Sequence, residues 1–92
     1  MYVWDEAKRE ANIAKHGLDF VDAYLVFENP EKITLQSPQA EEARLVDIAL
    51  VELAGLVLVL IYVERDQGVR VISFRRASRR ERILYDRAKE PD

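Results

Sequence analysis

The 92-residue sequence contains no cysteine, a single histidine, and only three glycines and three prolines. Without cysteine, neither a disulfide framework nor a thiolate metal site can form, and this composition fits a reducing compartment such as the cytoplasm. The histidine and the scattered carboxylates show no zinc-ligand spacing. We therefore expect no metal and no other cofactor.

The sequence also lacks a long hydrophobic run. Its longest apolar stretch, LVLVLIYV at 56–63, is much shorter than the roughly 20 residues that a membrane-spanning helix needs. The opening MYVWDEAKRE is polar and acidic, which is not typical of a signal peptide. A chain of 92 residues has room for one hydrophobic core, so we expect a single cytoplasmic domain over 1–92 without a membrane partner.

Positive charge is concentrated near the end of the chain. The net charge is -3, but residues 1–64 carry five basic and twelve acidic side chains, a balance of -7. Residues 65–87 carry eight arginines and three acidic side chains, a balance of +5. Arginine is always charged and its rigid fork of donors matches phosphate. This segment is therefore expected to bind phosphates or carboxylates.

Capping residues predict two helices in the first third of the chain. Asp5 is placed to cap a helix over 6–16, and Gly17 is placed to end it. Asp19 is placed to cap a second helix that runs through Phe27. The apolar face of the second helix is predicted to comprise Phe20, Ala23, Tyr24 and Phe27.

The rest of the chain favours strands and one final helix. Ser78 followed three residues later by Glu81 is the capping-box pattern, which predicts a helix over about 79–89. Short links between the strands favour antiparallel pairing. The expected fold is α+β, of order β-α-α-β-β-β-β-α, with helices packed on a curved antiparallel sheet. The predicted strands are YVW at 2–4, then 33–36, 43–51, 56–63 and 69–75, with QSPQAEE as a loop.

The arginines at the end of the last predicted strand are expected to form one positive region. Strict alternation along 69–75 places Val71, Ser73 and Arg75 on one face and Arg70, Ile72 and Phe74 on the other. Beyond the strand, the positive region continues over the N-terminus of the final helix, whose free N–H groups favour an anion. A nucleic-acid backbone fits this region, as does an acidic partner protein. The further members of the region are Arg76, Arg79 and Arg80.

Other polar residues have two readings each. His16 is a candidate proton carrier, but a histidine in the last turn of a helix also complements the helix dipole. Tyr85 fits either the core or a contact with a nucleotide. Arg82 is expected to form an ordinary surface pair with Asp86, four residues further along the final helix. Trp4 is expected in the core.

Two stretches, WDEAKREANIAKHGLDFVDAYLVF and RVISFRRASRRERILYD, resemble the BrnT toxin family of bacterial type II toxin–antitoxin systems. The resemblance extends from Trp4 to about Tyr85, and the joint order of its short motifs is specific. One departure is Glu41, where the family pattern has glycine. The motif residues are Trp4, Asp5, Asn12, Lys15, His16, Gly17, Phe20, Glu42, Arg44, Tyr62, Glu64, Arg65, Arg70, Ile72, Ser73, Arg75, Ala77, Glu81 and Tyr85.

The resemblance implies a RelE-like fold and an RNA-cleaving activity that stops translation. It also implies a BrnA-like antitoxin with a DNA-binding domain, which covers the active face in a toxin–antitoxin hetero-oligomer. Cleavage without metal needs cations at the phosphate, a base and an acid. The candidate catalytic residues are Arg65, Arg75, Arg76, His16, Glu64 and Tyr85, and the candidate RNA-binding residues are Lys15, Arg44, Arg70, Arg79 and Arg80.

The choice of base and acid among His16, Glu64, Glu81 and Tyr85 stays open at this point. A different class of function also fits the arginines. The same surface could bind nucleic acid or a partner without catalysis, so that the protein acts as a corepressor with its antitoxin. An adaptor without any RNA role is a third alternative.

Overall fold

The structure, a computed structural model, describes residues 1–37, 43–66 and 68–91. It confirms the α+β class and the order β-α-α-β-β-β-β-α. Part of the predicted loop, including Glu41 and Glu42, lies outside the described residues. The elements are β1 (Tyr2–Val3), α1 (Glu6–His16), a short 3₁₀ helix (Phe20–Asp22), α2 (Tyr24–Phe27), β2 (Ile33–Ser37), β3 (Arg44–Val51), β4 (Leu56–Arg65), β5 (Gly68–Arg76) and α3 (Arg79–Ala88).

The five strands form one sheet in the order β1-β5-β4-β3-β2. The pairs from β2 to β5 are antiparallel, as short connections require. β1 runs parallel to β5, with Tyr2 opposite Val69. The sheet is therefore mixed, and the expectation of an all-antiparallel sheet is wrong for β1. No hairpin constrains the direction of this strand, because most of the chain separates it from β5.

The predicted limits of α1 are confirmed. The Asp5 carboxylate accepts hydrogen bonds from the backbone N–H groups of Ala7 and Lys8, which have no partner within the helix. Gly17 adopts a left-handed conformation, with φ of 71°, and its N–H donates to the Ile13 carbonyl. Both ends of α1 are thus set by local chemistry.

The second predicted helix is divided into the 3₁₀ helix and α2. Asp19 caps the 3₁₀ helix by accepting from the N–H of Val21. Phe20, Ala23 and Val26 are fully buried. Their three-residue spacing matches a 3₁₀ helix better than the 3.6-residue period of an α-helix. Tyr24, expected on the buried face, is 47% exposed.

Helices cover both faces of the sheet. The 3₁₀ helix and α2 pack on one face, which we call the α2 face, and Phe20, Val26, Leu60 and Phe74 belong to its core. α3 packs on the opposite face, the α3 face, where Tyr85 contacts a smaller cluster that includes Ile48. Trp4 packs at the margin of the α2-face core, as predicted, with its ring 6.2 Å from that of Phe20. None of the described helices is long and apolar enough to cross a membrane.

A β-bulge interrupts the pairing of β4 with β5. Tyr62 pairs with Val71, but the preceding residue Ile61 pairs with Ser73. Ile72 is therefore an extra residue in β5 without a partner of its own in β4. Beyond this bulge every side chain of β5 points to the face opposite to the one that strict alternation predicts.

The predicted faces of β5 are therefore wrong for half of the strand. Val71 and Phe74 both belong to the α2-face core, although they are three residues apart. Arg70 precedes Val71, whereas Ser73 and Arg75 flank Phe74, so all three point to the α3 face. The bulge places Arg70 and Arg75 on the same side of the sheet.

Asn12 fixes α1 against the edge of β5. Its side-chain Nδ2 donates to the Phe74 carbonyl at 2.7 Å, and its Oδ1 accepts from the Phe74 N–H at 3.1 Å. β1 pairs with β5 only as far as Arg70, so a side-chain amide takes the place of a neighbouring strand at Phe74. Asn12 also donates to the Leu18 carbonyl, which holds the chain segment that follows α1.

Candidate active site

Arginines from three strands point to the α3 face. Arg44 precedes Leu45, which packs against the α2-face core, so the Arg44 side chain projects on the other side. Arg65 follows Glu64, whose partner Val69 belongs to that same core. Together with β5 these strands form a surface that we call the arginine face, comprising Arg44, Arg65, Arg70, Ser73 and Arg75.

Arg44 and Arg70 lie at the same level of the sheet. Leu45 follows Arg44 and Val71 follows Arg70, and both of these residues pair with Tyr62. Arg44 and Arg70 therefore flank Val63 on the intervening strand, at a backbone separation of roughly 10 Å, which is two strand spacings. Two cations at this separation can hold neighbouring phosphates of an extended strand.

The arginine face has an apolar floor. Val46 of β3 pairs with Ile61 of β4, which pairs with Ser73 of β5, and all three are half-buried. Leu35 pairs with Val46 and is 39% exposed. α3 covers the next level of the sheet through Tyr85, which is only 7% exposed. Aliphatic side chains between cations give a nucleotide both a contact surface for its base and donors for its phosphates.

Arg75 and Glu81 connect β5 to the first turn of α3. Arg75 Nη1 donates to Glu81 Oε1 at 2.7 Å, and Nη2 donates to Oε2 at 2.9 Å. This bidentate bond holds the pKa of Glu81 at about 2 and raises that of Arg75. The side chains are 28% and 20% exposed respectively. Sequence reasoning assigned Glu81 to the capping box but did not connect it to Arg75.

The capping box at the start of α3 is confirmed. Ser78 Oγ accepts from the Glu81 N–H at 3.2 Å, and Glu81 Oε1 accepts from the Ser78 N–H at 2.8 Å. Arg79 and Arg80 in the first turn are exposed, and so is Arg76 at the end of β5. All three are close to Arg75 in the chain, at the carboxyl end of β5, but Arg76 pairs with Leu58 of the α2-face core and therefore projects on the side of the sheet opposite to Arg75.

Lys15 and His16 lie in the last turn of α1. His16 is one turn beyond Asn12 on the same side of the helix. β1 pairs with β5 at Arg70, and Asn12 of α1 bonds to β5 further along, at Phe74. α1 therefore runs in the same direction as β5. His16 therefore lies at the end of the sheet where Arg75 is found, and Lys15 in the same turn is exposed.

Glu64 and Tyr85 are not part of the arginine face. Glu64 projects on the α2 face, because its partner Val69 does. Tyr85 is buried, and its hydroxyl donates to the Glu31 carbonyl at 3.4 Å. This packing agrees with the core alternative for Tyr85. Catalytic roles for Glu64 and Tyr85 stay predictions.

The expected surface pair on α3 is not formed. Arg82 and Asp86 are both exposed, and no ion pair joins them in the described part of the chain. Their separation of four residues permits contact, but exposed pairs gain little energy when the two side chains are held together.

A buried carboxylate on the α2 face was not singled out from the sequence. Asp47 is fully buried and accepts hydrogen bonds from Lys32 Nζ at 2.7 Å, Thr34 Oγ1 at 2.7 Å and the Tyr62 hydroxyl at 3.1 Å. A charged residue in the apolar run LVDIALV is the signal that could have found it. Among the described residues, no three His, Cys, Asp or Glu side chains are grouped closely enough to hold a metal ion.

Comparison with known proteins identifies the family. No curated protein matches this chain. A family model described as "Ribonuclease toxin, BrnT, of type II toxin-antitoxin system" matches residues 4–81, from Trp4 to Glu81. The match covers α1, the whole sheet from β2 to β5 and the start of α3. The chain therefore belongs to the BrnT ribonuclease toxin family and is an RNA-cleaving enzyme of a type II toxin–antitoxin system.

Proposed function

We propose that RNA binds across the arginine face and is cleaved there without a metal ion, which stops translation. The observation that carries this proposal is the convergence of Arg44, Arg65, Arg70 and Arg75 on one side of the sheet in a protein of net charge -3. Arg44, Arg65 and Arg70 hold phosphates on either side of the scissile bond, since arginine matches phosphate in charge and geometry. The exposed Arg79 and Arg80 extend the binding surface towards α3, whereas Arg76 projects on the α2 face, because its partner Leu58 belongs to that core.

Arg75 is the residue that we assign to the reacting phosphate. Its two terminal nitrogens, Nη1 and Nη2, each donate a hydrogen bond to the Glu81 carboxylate. A guanidinium has five N–H donors, so the side edge formed by Nε–H and the second Nη2–H remains available for a phosphate. Because the ion pair fixes the guanidinium plane, this edge is oriented before RNA binds. A preorganised cation of this kind stabilises the charge that accumulates when the ribose 2′-oxygen attacks phosphorus.

His16 is our candidate for proton transfer. Glu81 is a weak base, because Arg75 and Ser78 hold its pKa at about 2. Glu64 and Tyr85 lie away from the arginine face. His16 lies at the Arg75 end of β5, and an imidazole can both accept and donate a proton. We propose that His16 accepts the 2′-hydroxyl proton or donates to the leaving 5′-oxygen.

A type II toxin implies a cognate antitoxin. We propose that this partner is BrnA-like, that it carries a DNA-binding domain, and that it forms a hetero-oligomer with the toxin in the cytoplasm.

Purified protein incubated with RNA tests the reaction. We expect cleavage in EDTA at the rate seen with magnesium, and products with 2′,3′-cyclic phosphate ends. Cleavage that disappears with EDTA and returns with magnesium would show a metal-dependent reaction. RNA binding without cleavage under either condition would favour the corepressor alternative for this protein.

A further inference from the structure

A second surface lies at the opposite end of the β3–β4 hairpin from Arg44. A cleft of about 460 Å³ opens between α2, the turn that connects β3 to β4, and α3. Its apolar walls include Tyr24, Leu50, Leu53 and the ring of Tyr85. We call this surface the hairpin cleft. It contains none of the residues of the arginine face.

The hairpin cleft lies at an edge where β3 has no neighbouring strand. β2 pairs with β3 only as far as Ile48, so the last three residues of β3 lack a strand on that side. The Leu50 carbonyl accepts a hydrogen bond from Asn29 Nδ2 at 3.1 Å instead. The cleft is therefore built into the sheet edge by the early end of β2.

Large apolar side chains are exposed around this cleft. Leu53 is 92% exposed, Tyr24 47% and Leu50 42%. Single exposed apolar residues are normal, but several around one concave surface indicate a site of interaction. Leu53 lies in the turn between β3 and β4 and belongs to neither of the two core clusters.

The rim of the hairpin cleft is acidic. Glu28, Glu31 and Glu52 line it, and Lys89 is ion-paired with Glu31 at 2.9 Å. This charge repels RNA, and it also repels a second copy of the same cleft. A basic partner segment with apolar side chains complements both the walls and the rim.

We propose that the hairpin cleft is a docking site for the cognate antitoxin. The occupant is a segment that places apolar side chains against Leu50 and Leu53 and lysines or arginines against the glutamates. This inference rests on the proposed toxin function. It places an antitoxin contact roughly 20 Å from Arg44, the length of the intervening part of β3. This contact is separate from the reacting phosphate and differs from the coverage of the active face that the family resemblance implies.

Direct binding tests the proposal. The probe is the purified protein encoded by the reading frame next to this gene, titrated onto the full chain by calorimetry. We expect Leu53→Asp to raise Kd at least tenfold, because it places a charge against an apolar partner surface. Glu52→Lys should raise Kd about fivefold, with a smaller effect at high salt.

Ile13→Asp is the matched control, because Ile13 is 37% exposed on α1 and lies beside β5 rather than at the β3 edge. It should leave Kd unchanged. Expression without the probe protein should arrest growth equally for the wild type and Leu53→Asp, whereas co-expression should rescue only the wild type.

Three results would overturn the proposal. The first is an unchanged Kd for Leu53→Asp, which would place the antitoxin elsewhere, such as across the arginine face. The second is loss of growth arrest by a folded Leu53→Asp variant expressed alone, since the cleft would then belong to the activity. The third is no binding to the wild type. RNA cleavage by the wild type is measured separately, so failure of the toxin function is distinguishable from failure of the docking site.

Discussion

The two ends of the β3–β4 hairpin have opposite chemistry on one continuous framework. At one end Arg44, Arg65 and Arg70 lie on the same side of the sheet. At the other end an acidic rim encloses exposed apolar side chains, of which Leu53 is the most exposed. The first end suits a polyanion, and the second suits a basic, partly apolar segment. With RNA on the arginine face and the antitoxin in the hairpin cleft, as proposed above, the two partners would not compete for the same charge.

The largest effect should come from Arg75. Arg75→Ala removes the preorganised donor edge, and we expect cleavage to fall about a hundredfold or more, measured as single-turnover RNA cleavage. Arg82→Ala should leave cleavage nearly intact, since Arg82 is an exposed residue on α3 outside the arginine face. Equal cleavage by folded Arg75→Ala and wild-type protein would remove Arg75 from the site.

Stability should also respond to Arg75, because its partner is part of the α3 cap. On sequence grounds alone, a partly exposed arginine would contribute little. The bidentate bond to Glu81 changes this expectation. Arg75→Ala should lower Tm by about 4 °C, whereas Arg82→Ala should not change it. Differential scanning fluorimetry of the two variants measures the contrast.

The next largest effect should be on the binding of RNA phosphates. Arg70→Ala and Arg44→Ala should each weaken RNA binding about tenfold at low salt, and each should reduce the slope of log K against log salt by about 1. Fluorescence anisotropy with a labelled single-stranded RNA measures both quantities. Lys8→Ala is the control, because Lys8 is exposed on α1 away from the arginine face. Slopes that are the same in all three variants would contradict a phosphate role for Arg44 and Arg70.

The smallest effect is a pH dependence of stability. The pKa of Glu81 is lowered to about 2, from its usual 4.5, chiefly by the bond to Arg75. Because the pKa of Glu81 is lower in the folded protein than in the unfolded chain, the ionised carboxylate stabilises the folded state at pH values above about 4.5. This contribution is lost as the pH falls from about 4.5 towards 2. Wild-type stability should therefore fall more steeply over this window than that of Glu81→Gln. Asp19 titrates in both proteins through its pair with Arg9, so the difference isolates Glu81.

Local signals in the sequence predict much of the fold. Asp5 and Gly17 set the limits of α1, and the Ser78–Glu81 box sets the start of α3, because each depends only on neighbours in the chain. The parallel pairing of β1 could not be predicted, since its partner is more than sixty residues away. The concentration of arginines near the end of β5 was visible from composition, but strict alternation assigned their faces wrongly, because the bulge at Ile72 has no signal in the sequence.

The bond between Arg75 and Glu81 was not predicted, although both residues were singled out. Their six-residue separation crosses from a strand into a helix, and neither strand nor helix periodicity relates the two. The buried carboxylate of Asp47 was also missed, because its three donors, Lys32, Thr34 and Tyr62, come from two segments that lie 13 to 15 residues away on either side. In both cases, tertiary packing decides which polar groups meet.

The extra residue at Ile72 reconciles an odd spacing with a common face. Arg70 and Arg75 are separated by an odd number of positions, which in a regular strand means opposite sides. The bulge takes one residue out of the pairing with β4, so the two arginines point to the same side. Deleting Ile72 would remove the bulge and make the separation even, and the arginines would still share a face. In this strand, the spacing of two arginines is therefore informative only when the bulged residue is left out of the count.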